Sequence, residues 1–210
     1  MIEIQKITDV LQYLDGLEAV VFDLDDTLYS EKEYVKSGYA AVASILPYVE
    51  NAKEKLWEAF VQGKPAIDHL LHSEEIYSEE VKQKCLDIYR YHQPTIHLYD
   101  EVIDIFAQLR KKDLRIAILT DGRPEGQRAK IKALGLEELV DCFIITDELG
   151  GVGYRKPNQT AFVKMKETLN VEFEKMCYIG DNIDKDFIAP DLLGIRSIYF
   201  HNSDGIYCRR

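Results

Sequence analysis

Five short, continuously apolar runs recur along the chain, and they limit the folds that it can adopt. Each is rich in Val, Ile, Phe or Tyr, and apolar residues do not alternate with polar ones, which indicates strands covered on both faces, as in a parallel sheet. The runs occupy residues 18–23, 114–120, 141–146, 175–180 and 195–200. Helical spacing of apolar residues fills the intervals between the later runs, as at Val102, Ile105, Phe106 and Leu109. This alternation predicts an α/β fold built on a doubly wound parallel sheet.

Residues 31–95 interrupt this alternation, because they contain no good strand pattern. Helix-like segments fill this stretch, and the tripeptides GKP (63–65) and HQP (92–94) punctuate it. We therefore predict two domains, a core formed by residues 1–30 and 96–210 and a small inserted helical domain formed by residues 31–95.

Composition and charge exclude several functional classes. The chain has 210 residues and a formal charge of −11, from 37 acidic against 26 basic residues, with no basic stripe of the kind that nucleic-acid binders carry. No window approaches the roughly 18 apolar residues of a membrane span. The first ten residues do not resemble a signal peptide, and the four cysteines form no CxxC pair. We expect a protein of the reducing cytoplasm that binds neither nucleic acid nor membranes.

Polar residues follow the apolar runs, where a parallel sheet would gather them at one edge. The carboxyl ends of parallel strands form the ligand-binding edge of an open sheet. The groups that follow the first, second and fourth runs are Asp23, Asp25 and Thr27, then Thr120 and Asp121, then Asp181 and Asp186; Arg155 and Lys156 lie a few residues beyond the third. Several carboxylates with a hydroxyl and a lysine suit Mg²⁺ together with a phosphate group.

The stretch DLDDT (23–27) crowds three aspartates at the end of the first run. Buried carboxylates repel each other and lose hydration, so an isolated cluster is costly. A divalent cation would make this crowding favourable, and it would let an anionic phosphate ester approach an aspartate.

These residues resemble the motifs of the haloacid dehalogenase-like (HAD) hydrolases across nearly the whole chain. DLDDT looks like the first motif, with Asp23 at the nucleophile position and Asp25 at the acid/base position. ILTDG (118–122) looks like the second motif, with Thr120. The resemblance implies a Rossmann-like core, and the inserted helical segment lies where subfamily I members carry a C1 cap.

The third and fourth motifs complete the resemblance. YRKPNQTAF (154–162) looks like the third, with Lys156, and GDNIDKD (180–186) looks like the fourth, with Asp181 and Asp186. The longer pattern after the second motif, which includes Gln127 and Lys130, is similar to the branch that contains pyrimidine 5′-nucleotidases and N-acylneuraminate-9-phosphatases.

The resemblance implies phosphoryl transfer through a phosphoaspartate. Asp23 would attack phosphorus, and Asp25 would protonate the leaving oxygen and then activate water. Lys156 and Thr120 would complete the catalytic set. The phosphate would be bound by Thr120, Asp121, Lys156 and Arg123.

The same resemblance implies a metal site and assigns a supporting residue. Mg²⁺ would be held by the Asp23 carboxylate, the Asp25 main-chain carbonyl and Asp181, while Asp186 would position Lys156 or a metal-bound water. We therefore expect a Mg²⁺-dependent phosphatase acting on a small phosphomonoester, such as a sugar phosphate or a nucleoside monophosphate. The alternatives are a phosphosugar mutase on the same scaffold and a non-catalytic relative that binds a partner protein.

Overall fold

A computed structural model describes residues 1–206, and the chain forms two compact units. The larger unit comprises Met1–Glu31 and His97–Arg210, and the smaller comprises Lys32–Ile96. These limits differ by one residue from the domain limits expected from the sequence.

The larger unit contains a six-stranded parallel sheet. Its strands are β1 (Ile2–Ile4), β2 (Ala19–Phe22), β3 (Arg115–Thr120), β4 (Cys142–Ile145), β5 (Met176–Gly180) and β6 (Arg196–Phe200). The spatial order is β1-β6-β5-β2-β3-β4, and every neighbouring pair is parallel. All residues of β2 and β5 are buried, as strands covered on both faces require. The α/β fold predicted from the sequence is confirmed.

Strand β1 is the element of the sheet that the sequence analysis missed. It has three residues, which is too few for a periodic pattern to distinguish a strand from a loop. It pairs in parallel with β6, where Ile2 lies opposite Ile198 and Ile4 lies opposite Phe200. Only the tertiary pairing with β6, which is far away in the sequence, therefore defines this edge strand.

Eight α-helices occur within residues 1–206. They are α1 (Glu31–Ser44), α2 (Ala52–Val61), α3 (Ala66–Ser73), α4 (Glu79–Tyr91), α5 (Val102–Lys111), α6 (Pro124–Ala133), α7 (Thr160–Leu169) and α8 (Ile188–Leu193). Helix α5 buries Val102, Ile105, Phe106 and Leu109, the four apolar residues whose spacing predicts it.

The core of the larger unit lies between the sheet and its helices. Phe162 and Met165 of α7 are fully buried in the same cluster as Val21 and Leu119 of the central strands. Packing of this kind fixes the ends of β2, β3 and β5 relative to one another. Their carboxyl ends therefore present side chains from a rigid edge.

The smaller unit is helical, with no strand among residues 32–96. Helix α4 begins after Ser78, whose side chain accepts a hydrogen bond from Val81 N at 3.1 Å. Tyr89 of α4 packs against Tyr34 and Tyr39 of α1, with ring centroids 6.0 and 5.5 Å away. None of the helices within residues 1–206 is both long and apolar enough to cross a membrane.

Candidate active site

The loop that follows β2 carries the aspartates of DLDDT and is held from several directions. Asp23 N donates to Ile179 O of β5 at 2.8 Å, so the end of β2 is fixed against its neighbour. Asp26 adopts a left-handed conformation with φ of 52°. Its Oδ1 accepts a hydrogen bond from Glu31 N at 2.8 Å and its Oδ2 accepts one from Ile206 N at 2.6 Å. Asp26 thus shapes the loop and the start of α1.

Lys156 is buried at the centre of the site. Its Nζ lies 2.6 Å from Asp23 Oδ1 and 2.8 Å from Asp186 Oδ1, and it donates to Tyr178 Oη at 2.8 Å. Burial alone would lower the pKa of Lys156, but Asp186 and Asp23 raise it well above its usual value. The lysine is therefore a fixed positive charge between two carboxylates.

Asp121 positions the segment that carries Lys156. Its Oδ1 accepts hydrogen bonds from Lys156 N at 3.0 Å and from Thr146 Oγ1 at 2.9 Å, and its Oδ2 accepts one from Lys185 Nζ at 2.8 Å. Burial opposes ionisation, yet Lys156 and Lys185 lower the pKa of Asp121 below its usual value. The Asp121 side chain therefore joins the ends of β3 and β4 to the segments that carry Lys156 and Lys185, which is a structural role.

Asp25 is held by three donors. Its Oδ1 accepts from Lys130 Nζ at 2.7 Å and from Tyr29 Oη, and its Oδ2 accepts from Gln127 Nε2 at 2.9 Å. Burial alone would raise the pKa of Asp25, but Lys130, with Tyr29 and Gln127, lowers it. These contacts favour the carboxylate form and fix its orientation.

Thr120 lies at the carboxyl end of β3 and is linked to Asp25 through a shared partner. Gln127 Nε2 donates to Thr120 Oγ1 at 2.6 Å, while the same nitrogen donates to Asp25. Thr120 is 1% exposed, so its hydroxyl group has little freedom to reorient. Helix α6 thereby fixes the relative position of two predicted site residues.

Three buried carboxylates converge beside Lys156. Oxygens of Asp23, Asp181 and Asp186 all lie within 4.8 Å of one another. Burial raises the pKa of Asp23 to about 7, against the opposing effect of Lys156. Burial also raises the pKa of Asp181 to about 9, and Asp23 and Asp186 add to this shift. An all-oxygen donor set with more negative charge than one lysine balances is suited to a hard divalent cation such as Mg²⁺.

A cavity of about 140 Å³ opens onto these groups. This volume is small compared with the roughly 300–1,000 Å³ of ordinary ligand sites, so it suits a phosphoryl group and the atoms next to it. Its lining residues are Asp23, Asp25, Glu31, Thr120, Asp121, Arg155, Asp181, Asn182 and Lys185.

Of the predicted phosphate-binding residues, Thr120 and Asp121 line this cavity, whereas Lys156 and Arg123 do not. The Lys156 side chain is fully buried next to Asp23. Arg123 immediately precedes α6 and is exposed. Arg155 lines the cavity instead, and it pairs with Asp147 through two hydrogen bonds of 2.7 Å. The paired acid orients the guanidinium group rigidly.

Several polar residues of the site were not assigned a role from the sequence. Gln127 and Lys130 are three residues apart on α6, a spacing that places them on one helix face, and this signal could have identified them as a pair. Tyr178 and Lys185 gave no such signal, because their partners come from distant segments. Glu31 gave none, because only the tertiary structure places it in the cavity.

The sequence model of the haloacid dehalogenase-like hydrolase family matches residues 17–190, which includes all four predicted motifs. The match therefore spans most of the larger unit as well as the helical insertion.

Curated proteins of similar sequence carry phosphatase names. The chain is 25% identical over 196 residues to a glyceraldehyde 3-phosphate phosphatase of Methanopyrus kandleri. The alignment covers 87% of this chain and 83% of that protein. The chain is also 32% identical over 102 residues to a phosphoserine phosphatase of Thermus thermophilus. That alignment covers 49% of this chain and 40% of that protein.

Solved structures show the same fold. A haloacid dehalogenase-like family hydrolase of Xanthomonas campestris superposes with a TM-score of 0.59 at 18% identity, over 93% of this chain and 86% of that one. The finer resemblance to nucleotidases and N-acylneuraminate-9-phosphatases stays a prediction.

Proposed function

The chain belongs to the haloacid dehalogenase-like hydrolase family, and from that premise we propose that it is a Mg²⁺-dependent phosphatase of a small phosphomonoester. The names of the similar proteins support phosphate-ester chemistry. The single observation that carries the proposal is the buried pairing of Lys156, at 2.6 Å, with Asp23, which itself lines a phosphate-sized cavity.

Asp23 is the nucleophile in this proposal. Its carboxylate attacks phosphorus in line with the leaving oxygen and forms a phosphoaspartate, which water then hydrolyses. Lys156 keeps Asp23 oriented and offsets the negative charge that accumulates when a phosphate dianion enters the cavity. The Thr120 hydroxyl group contributes a hydrogen bond to a phosphoryl oxygen.

Asp25 is the proposed acid and base. Its protonated form gives a proton to the leaving oxygen in the first half-reaction, and the resulting carboxylate removes a proton from water in the second, which restores the acid. The contacts from Lys130, Gln127 and Tyr29 favour the carboxylate form, so they assist the second half-reaction, while the first begins from the less populated protonated form.

The carboxylates of Asp23 and Asp181, with the main-chain carbonyl of Asp25, would hold Mg²⁺. Asp186, the third acid of the group, pairs with Lys156 and keeps that lysine beside the nucleophile. Bound Mg²⁺ would neutralise the crowded carboxylates and the phosphate.

The smaller unit, Lys32–Ile96, serves in this proposal as the C1-type cap that selects the leaving group and restricts access of water. The cytoplasm is the proposed location. Its reducing conditions agree with the free thiols of Cys85, Cys142 and Cys177.

The test is phosphate release from p-nitrophenyl phosphate by the purified protein with Mg²⁺, beside an Asp23→Asn variant. We expect turnover that EDTA abolishes and Mg²⁺ restores, and none above background in the variant. Equal activity in both proteins, or activity indifferent to EDTA, would contradict the proposal. Isomer formation without free phosphate would identify a mutase instead.

A further inference from the structure

Glu31 is an acidic side chain in the active-site cavity that the mechanism does not use. It lines the same cavity as Asp23 and Asp25. Its backbone is fixed, because Glu31 N donates to Asp26 Oδ1 at 2.8 Å. The carboxylate therefore has a defined position beside the catalytic loop.

The other acids that line the cavity already accept a hydrogen bond from a lysine or belong to the proposed cation site. Asp23, Asp25 and Asp121 each accept a hydrogen bond from a lysine, and Asp181 belongs to the group suited to a cation. Glu31 is not a member of that group.

Glu31 Oε2 differs, because it is shut off from solvent and has no hydrogen-bond partner within the described residues. A buried acceptor without a donor is unfavourable by roughly 1–3 kcal/mol. Such a group in a native site calls for an explanation, and a donor brought by a ligand supplies one.

The electrostatic surroundings of Glu31 favour a donor over a further acceptor. Burial raises the pKa of Glu31 to about 8, and Asp25, Asp26 and Asp23 add to the shift while Lys130 opposes it. A ligand that brings a hydrogen-bond donor, above all a positively charged one, would compensate this local excess of acid.

We propose that Glu31 is a specificity-determining residue that accepts a hydrogen bond from the leaving group of the substrate. The substrate class is a phosphomonoester with a hydroxyl or ammonium group on the carbon next to the ester carbon. The cavity places Glu31 with the nucleophile and the acid/base residue, so the group it binds lies close to the scissile bond. This inference rests on the proposed function for the identity of the phosphate site.

The experiment compares ethyl phosphate, 2-hydroxyethyl phosphate and 2-aminoethyl phosphate, which differ only in the donor. Phosphate release with Mg²⁺ gives kcat/KM for the wild type, for the nearly isosteric Glu31→Gln and for Glu167→Gln, a control at an exposed position of α7. Circular dichroism checks that each variant is folded.

We expect the wild type to prefer at least one donor-bearing ester to ethyl phosphate by about tenfold or more, the size expected for one charge-assisted hydrogen bond. In Glu31→Gln a preference for the amino ester should collapse, because an amide, unlike the carboxyl group, cannot ionise beside the ammonium group. A preference for the hydroxy ester should persist in part, because the amide oxygen still accepts. Glu167→Gln should keep the wild-type ratios. Equal kcat/KM for the three esters in the wild type, or unchanged ratios in Glu31→Gln, would overturn the inference.

Binding measurements separate this inference from the proposed function. Calorimetric titration of Asp23→Asn with the three esters in Mg²⁺ gives their affinities without turnover, and Asp23→Asn/Glu31→Gln is the matched comparison. If the wild type hydrolyses neither p-nitrophenyl phosphate nor any of the three esters, the phosphatase proposal fails, while the order of affinities still decides the role of Glu31. Affinities that do not depend on the donor, or on Glu31, would reject that role.

Discussion

Lys130 Nζ lies 2.7 Å from Asp25 Oδ1, although the two residues are 105 positions apart in the chain. Lys130 is 5% exposed, so the pair is largely shielded from solvent. Gln127, one helical turn earlier on α6, holds the other oxygen of the same carboxylate. Helix α6 therefore orients the proposed acid/base residue.

Substitution of Lys130 should impair the activation of water by Asp25 more than phosphate binding, because Lys130 favours the carboxylate form of Asp25. We expect Lys130→Met to slow hydrolysis of the phosphoaspartate, and with it kcat, by about 10²-fold, within the range of general base catalysis. The steady-state loss should appear with ethyl phosphate and p-nitrophenyl phosphate alike, because both give the same phosphoaspartate, while the initial burst of p-nitrophenolate should persist. Lys132→Met, an exposed neighbour on α6, is the matched control. Loss of the p-nitrophenolate burst together with the steady-state rate would indicate that Lys130 has only a structural role.

Removal of Lys156 should leave two buried carboxylates without their cation. We expect Lys156→Met to abolish turnover and to lower the free energy of unfolding of the metal-free protein by about 3–5 kcal/mol, the usual cost of breaking a buried pair. Urea denaturation measures this quantity. Lys164→Met, exposed on α7, should change it by less than about 0.5 kcal/mol. A stable Lys156→Met protein would show that the metal-free site neutralises its acids without the lysine.

Asp181 should be destabilising in the metal-free protein, because it is buried against Asp23 and Asp186. Asp181→Asn in EDTA should therefore raise the thermal midpoint by at least about 2 °C, the shift that 1 kcal/mol gives a chain of this size. In the wild type, Mg²⁺ should raise the midpoint in a concentration-dependent manner, and the variant should lose most of that response. A full Mg²⁺ response in Asp181→Asn would place the metal elsewhere.

Asp141, which lies away from the candidate site, should make the free energy of unfolding depend on pH. Burial opposes ionisation, but hydrogen bonds from Ile116 N at 2.7 Å and from Arg110 at 2.5 Å lower the pKa of Asp141 below its usual value of 3.8. A depressed folded-state pKa gives stability that is present above the unfolded value and is lost as pH falls. The stability contributed by the Asp141 carboxylate should therefore be complete at pH 6 and should decline below about pH 4.

Urea unfolding of the wild type and Asp141→Asn at pH 6 and at pH 3 tests this. The variant should be less stable by about 0.5–1 kcal/mol at pH 6, because solvent screens this largely exposed group, and the difference should shrink at pH 3. Glu167→Gln controls for the loss of one negative charge. A difference that is the same at both pH values would show that ionised Asp141 has no special stabilising role.

The apolar runs were enough to predict five of the six strands of the sheet and the strand ends that carry the acids. Continuous apolar runs predict β2 and β5 as buried parallel strands, and the structure places them side by side. Because Asp23 and Asp181 follow those strands directly, their convergence also follows from local pattern and sheet geometry. The short strand β1 escaped prediction because three residues carry no period.

The sequence by itself determined the α/β fold, the sheet edge on which the acids gather and the family of the chain, because strand periodicity and motif order are local properties. Only the tertiary structure decided which donor holds which carboxylate. It assigned Lys130 and Gln127 to Asp25, and it left Glu31 Oε2 without a partner. Hydrogen bonds at 2.6–3.0 Å depend on the packing of helices against the sheet, to which residues far apart in the chain contribute, and no local pattern encodes that distance.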